Sequence, residues 1–369
     1  MYKYTIGTDP PQALFNAGLL CYHTVMGKSA ADALTGALDR LPRVRLGCYP
    51  TPLHRLSGLE AALGYGGIFI KRDDLSGLGP GGNKLRSLEF LLGEAVEQKA
   101  DRIIVSGPGQ SNLCTLTAAA CARLSLPCTL IHNCAESEPC TGNLLLNRIM
   151  GAESIFLGDI SAGERRSFEE KLRGELTERG LKPYVIRNGG TSGMGALGYA
   201  ETIAELCGQC SAQGFDIGTI FVAGGNGGMA AGIIYGNAAL GRPFRICVIS
   251  VEDERETLKE HIVQTIAGAE LITELPFPGD FEDRCDIVDD YRGEGWSVNT
   301  PECEAAVRSF PGREGIFIEH VYSGKVVAGM EDYIRRRKTE GGVCYLHSGG
   351  FGSLFGQFAI PPSRNLQGR

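Results

Sequence analysis

From about residue 66 onward, short runs of apolar and β-branched residues alternate with segments whose apolar positions recur at helical spacing. Residues 102–105, 128–132, 154–157, 184–187, 219–223, 245–251 and 343–347 read as strands. Most of the intervals between them read as amphipathic helices. An earlier helix, residues 84–97, carries Leu85, Leu88, Leu92 and Ala95 on one face. Such βαβα alternation predicts a parallel sheet covered on both faces, an α/β fold. In these folds ligands bind at the carboxyl ends of strands, beside helix N-termini.

Composition sharpens this at one point. Of 369 residues, 52 are glycine, about twice the usual ~7%. Many cluster where strands should hand over to helices: GLGPGGNK at 77–84, GPGQSN at 107–112, GGTSGMG at 189–195, GGNGG at 224–228 and SGGFG at 348–352. Tight turns alone explain one or two such loops; five point to backbone that approaches a ligand closely.

The remaining composition mainly excludes. A net charge of −7 argues against a nucleic-acid partner. The basic run at 335–338 complements a helix C-terminus. The 13 cysteines lack the density of a disulfide scaffold. Cys114, Cys121, Cys128, Cys134 and Cys140 have neither zinc nor iron–sulfur spacing, so no metal is expected. The single CxxC, Cys207 and Cys210, falls at the end of a helix read over 200–212, where the dipole raises thiol pKa, so a redox role is not expected. His54, His132 and His261 have no partners at ligand spacing and receive no role. Asp9, Pro10 and Pro11 interrupt any leader-like apolar core, and no stretch reaches the length of a membrane span. A cytoplasmic protein with no membrane partner is expected.

Two loops suggest chemistry. Gly225-x-Gly227-x-x-Ala230 follows a strand and fits a dinucleotide fingerprint, with Glu252 near the position of a ribose-binding acid; an NAD(P)-dependent oxidoreductase is therefore one reading. The same geometry binds any phosphate. GLGPGGNK is not an ATP-binding P-loop, because Asn83 separates Gly82 from Lys84 and no hydroxyl follows to hold magnesium. It leaves a lysine in the first turn of a helix, where the dipole should lower its pKa and favour a Schiff base. A Schiff-base lysine and a separate phosphate loop are the two attachments that pyridoxal phosphate needs.

The stretch 70–92, IKRDDLSGLGPGGNKLRSLEFLL, resembles the lysine motif of the family of D-cysteine desulfhydrase, L-cysteate sulfo-lyase and 1-aminocyclopropane-1-carboxylate deaminase. YPTPL at 49–53, QSN at 110–112, GNLLL at 142–146, GALGY at 195–199, YSGK at 322–325 and HSGG at 347–350 extend the likeness in order from about residue 45 to 356. The resemblance implies a two-domain, three-layer sandwich of tryptophan-synthase β-like architecture, the type II fold of pyridoxal-phosphate enzymes. Residues 1–86 and 196–369 would form the larger cofactor domain, and 87–195 a smaller βα domain. It implies that Lys84 anchors the cofactor and shuttles the Cα proton. Asn83, Asn112 and Gly224, Gly225, Asn226, Gly227 and Gly228 would hold the cofactor, with Ser323 opposite the pyridine nitrogen. Gln110, Ser111, Leu113, Trp296 and Tyr322 would face a small amino-acid substrate, with Ser111 and Tyr322 in catalytic positions. A homodimer is expected.

Four positions depart from the family pattern: Leu113 stands for His, Trp296 for Tyr, Met229 for a phosphate-binding Thr and Ser87 for Lys. The deaminases resemble a glutamate at the position of Ser323, so a hydroxyl there favours β-elimination, giving pyruvate and ammonia, over cyclopropane ring opening. Deaminase-type hydrolysis, and cofactor binding with little catalysis, stay open as alternatives.

Overall fold

The computed structural model describes residues 28–357 apart from 137–139, 337, 338 and 340. The leader reading of residues 1–27 and the end of the basic run therefore lie outside the described residues. Ten strands occur in chain order: β1 (Leu53–Arg55), β2 (Ile68–Lys71), β3 (Arg102–Gly107), β4 (Cys128–His132), β5 (Glu153–Phe156), β6 (Pro183–Ile186), β7 (Ile217–Gly224), β8 (Arg245–Ser250), β9 (Cys285–Val288) and β10 (Gly342–Leu346). They form two sheets. The larger runs β1-β2-β10-β7-β8-β9, parallel except for the antiparallel β1 at its edge. The smaller, β5-β4-β3-β6, is wholly parallel and drawn from the middle of the chain. Both are covered by helices, as continuous apolar strands such as β7 and β8 require. Among the described residues no helix is long and apolar enough to cross a membrane.

The helix Lys84–Glu97 is buried along most of its length. It packs against the helix Gly193–Gln213, which begins seven residues earlier than its apolar pattern predicts. Glycine weakens a helix by its propensity, but here it permits contact: a Cβ on Gly198 would lie 2.0 Å from the Arg86 carbonyl, and one on Gly232 2.0 Å from that of Ala196. These two glycines outside the loops thus serve close helix crossings. Cys207 and Cys210 sit in the last turns of Gly193–Gln213, and burial pushes the Cys210 thiol up to about 11.

A buried ionic network fixes the start of Lys84–Glu97. Arg86 donates to both oxygens of Asp73 at 2.7 and 2.8 Å and to Glu205 Oε2 at 3.0 Å, while Lys71 donates to Glu205 Oε1. Burial pushes the Glu205 carboxyl up, but Arg86 and Lys71 outweigh it and hold it at about 2. Lys71 is therefore committed to structure.

Candidate active site

The glycine loops converge on one cavity between the sheets. Its walls include Lys84 from the helix Lys84–Glu97, Gln110–Leu113 after β3, Asn188, Gly189 and Thr191 after β6, Gly225–Met229 after β7, and Trp296, Tyr322 and Ser348. Each of these turns lies at the carboxyl end of a strand or at a helix start, the position predicted for a ligand.

Lys84 Nζ donates to the Gly189 carbonyl at 2.7 Å. Its pKa is lowered to about 8, and the cause is burial of the amine rather than the helix dipole expected from the sequence. Lys71 and Lys325 are also buried, but Lys325 donates to the carbonyls of Val251, Arg292 and Gly295. Lys84 is the amine that faces the cavity. Asn83, just before it, is held by Tyr199, whose hydroxyl donates to its carbonyl at 2.8 Å, and its own amide donates to Met229 Sδ at 3.2 Å.

On the next wall Ser111 caps the helix Asn112–Leu124 by accepting from Cys114 N at 3.3 Å, and its hydroxyl also interacts with the Cys114 thiol. The Gln110 amide is pinned by Asn143 N at 2.8 Å and the Thr141 carbonyl at 3.2 Å. Asn143 Nδ2 donates to Asn112 Oδ1 at 2.8 Å, so the Asn112 amide presents its NH₂ as donor. Leu113 adds an apolar wall.

Gly227, in the left-handed conformation at φ 82°, begins the helix Gly228–Ala239, whose first N–H groups have no intrahelical partners. A Cβ on Gly228 would sit 2.9 Å from Thr191 Oγ1, and one on Gly225 3.3 Å from the Tyr322 ring. Across the cavity Trp296 Nε1 donates to the Tyr322 hydroxyl at 2.9 Å. Burial raises the Tyr322 phenol well above its ordinary value, against a smaller opposing effect of the indole N–H.

Residues 44–349 match the family described as pyridoxal-phosphate dependent enzyme. The chain belongs to this family. It is 35% identical over 327 residues to a D-cysteine desulfhydrase of Klebsiella pneumoniae, covering 86% of this chain and 97% of the relative. It is 33% identical over 324 residues to a Pyrococcus abyssi protein provisionally named a 1-aminocyclopropane-1-carboxylate deaminase, covering 88% of this chain and 95% of the relative. Among solved structures it is similar to an ACC deaminase homologue, with a TM-score of 0.80 and 32% identity over 88% of this chain and 96% of that one. A threonine deaminase of Solanum lycopersicum matches at TM-score 0.63 and 18% identity, covering 89% of this chain and 87% of that one, which shows the shared type II fold. The protein is thus a pyridoxal-phosphate-dependent enzyme, and the nicotinamide reading of the Gly225 turn falls away.

The cavity fits that cofactor on its own terms: an amine of lowered pKa, a helix N-terminus opened by Gly227 and Gly228 and an amide donor from Asn112 all face one space. Two expected residues are not among its lining. Ser323 is fully buried behind Tyr322, where it accepts from Glu319 N at 2.6 Å and donates to the Glu319 carbonyl at 3.1 Å. The Glu319 carboxylate in turn accepts the N–H groups of Val321, Tyr322 and Ser323, so this turn is spent on starting the helix Ser323–Arg335. Gly224 ends β7 with its α-carbon against Leu258 and Val248. Ser348, by contrast, is among the lining residues. Thr191, Asn143 and Ser348 were given no role because their contacts depend on partners distant in the chain; only their positions in glycine turns or within GNLLL hinted at them.

Proposed function

We propose that the protein is a lyase removing a β-substituent from a small amino acid of the D-cysteine or cysteate type, giving pyruvate and ammonia. The Trp296–Tyr322 hydrogen bond, lining the same cavity as Lys84, carries this reading. Lys84 would hold the cofactor, Asn83 and Asn112 would flank it, and the backbone of Gly225–Gly228 with Thr191 would receive its phosphate, Met229 offering no donor. When bound, pyridoxal phosphate supplies the electron sink that stabilises negative charge at Cα. Freed Lys84, with its pKa near 8, takes the Cα proton. The Ser111 hydroxyl and the N-terminal N–H groups of Asn112–Leu124 orient the substrate carboxylate. Tyr322, protonated at neutral pH and accepting from Trp296, has its own hydrogen left to give to the departing group.

On the ring-nitrogen side the reading places the Ser348 hydroxyl, since the Glu319 carboxylate is committed to backbone N–H groups. A hydroxyl leaves the ring less electron-withdrawing than a carboxylate partner would, which suits elimination better than ring opening. The proposal includes a cytoplasmic homodimer, consistent with the free thiols of the described cysteines. Product identity tests it. Incubated with D- and L-cysteine, cysteate and 1-aminocyclopropane-1-carboxylate, the holoenzyme is expected to release pyruvate and ammonia in equal amounts from a β-substituted substrate. Release of 2-oxobutanoate from the cyclopropane acid, with no pyruvate from any other, would overturn it.

A further inference from the structure

One wall of the cavity carries a guanidinium that the reaction described above does not use. Arg165 lies in the first turns of the helix Ala162–Glu178, whose start is fixed by a capping box between Ser161 and Glu164. It is only 3% exposed, yet it lines the cavity together with Asn133 and Asn188. Nη1 donates to Asn133 Oδ1 at 2.5 Å and Nη2 to Asn188 Oδ1 at 3.4 Å. Nε has no partner, so most of the five guanidinium donors are unspent. Its two hydrogen-bond partners are neutral amides. Glu169, one turn further along, attracts it electrostatically but makes no hydrogen bond to it, and one Glu169 oxygen has no partner.

A buried cation at the positive end of a helix is unfavourable, and Glu169 offsets this only at a distance, so the free guanidinium donors are open to an arriving anion. Within the cavity the one carboxylate is Glu252, and burial raises its pKa. Position narrows the choice of anion. The shorter bond ties Arg165 to Asn133 just past β4, and β4 pairs with β3, whose following turn presents Gln110 and Ser111. Arg165 is thus built into the wall assigned to the substrate, and it reaches the Gly225–Gly228 turn only through the longer contacts of Asn188 with Asn226.

We infer that Arg165 forms a subsite for a second acid group, so that the preferred substrate is an amino acid whose side chain ends in an anion such as a sulfonate or carboxylate. The inference rests on the amino-acid reading of the cavity. The guanidinium fork suits either group through paired N–H donors.

The test uses the holoenzyme and the fluorescence of Trp296, the sole tryptophan and itself a cavity residue. The ligands are 3-sulfopropanoate, which carries both acid groups but no amine and cannot turn over, and butanoate, which has a neutral end. Wild-type protein is expected to bind 3-sulfopropanoate at least about tenfold more tightly. Arg165→Ala and the bulkier Arg165→Gln should both erase the difference, and Arg165→Lys should keep part of it. Equal binding of the two ligands by wild type, or a preference that survives both neutral variants, would overturn the inference. So would loss of bound cofactor from Arg165→Gln with the preference intact, since that outcome assigns Arg165 to the cofactor phosphate. Because the probe does not react, a preference seen without any pyruvate release would refute the lyase reading alone.

Discussion

Lys84→Ala is expected to lack the visible absorbance of lysine-bound cofactor and to lose about a thousandfold or more of any pyruvate-releasing activity. Among the described residues no second lysine lines the cavity. Lys71 is engaged with Glu205, and Lys325 with three backbone carbonyls. The variant should fold, because the buried Asp73–Arg86–Glu205 network that seats this helix does not include Lys84. The lowered pKa adds a pH signature. Burial disfavours the ammonium form, so the reactive neutral amine appears at lower pH than on a free lysine. The rate at which apoprotein takes up pyridoxal phosphate should rise with pH and level off above about 8, rather than continuing to rise toward the 10.5 of an ordinary lysine. A wild-type rate still climbing steeply above pH 9 would show that the amine is not desolvated as the cavity requires.

Tyr322→Phe is expected to lower kcat by about a hundredfold while leaving the cofactor spectrum unchanged. The phenol is held by Trp296 Nε1 and stays protonated well past neutral pH. It is suited to give a proton and poorly suited to take one. Steady-state kinetics on the best β-substituted substrate checks this, and unchanged kcat would remove Tyr322 from the proton transfer. Trp296→Phe should have a smaller effect in the same direction, because the indole acts through the phenol by fixing its orientation. A poor leaving group should feel the loss of Tyr322 more than a good one.

The seven strands read from hydrophobic pattern all occur, because parallel strands buried on both faces are continuous apolar runs that stand out from helical periodicity. The missed strands β1, β2 and β9 are three or four residues long, too short for a period to register, and β1 is an edge strand. The early start of Gly193–Gln213 was hidden because Gly193, Gly195 and Gly198 read as breakers, although tertiary contact requires them small. The family resemblance brought most cavity residues together by motif alone. Ser323 lies behind the lining for a local reason: Glu319, four residues earlier, engages its hydroxyl and the neighbouring N–H groups, and no motif shows which way a hydroxyl turns. Arg165 was illegible for the opposite reason. Its partner Asn133 lies 32 residues away, and within its own helix it is one more charged residue in an ERR run.

The central claim is that Lys84 is the cofactor's attachment point in this cavity, and borohydride reduction of the holoprotein followed by peptide mapping tests it directly. The expected result is one reduced cofactor adduct per chain, on Lys84. An adduct on Lys71, Lys325 or a surface lysine, with Lys84 unmodified, would contradict it.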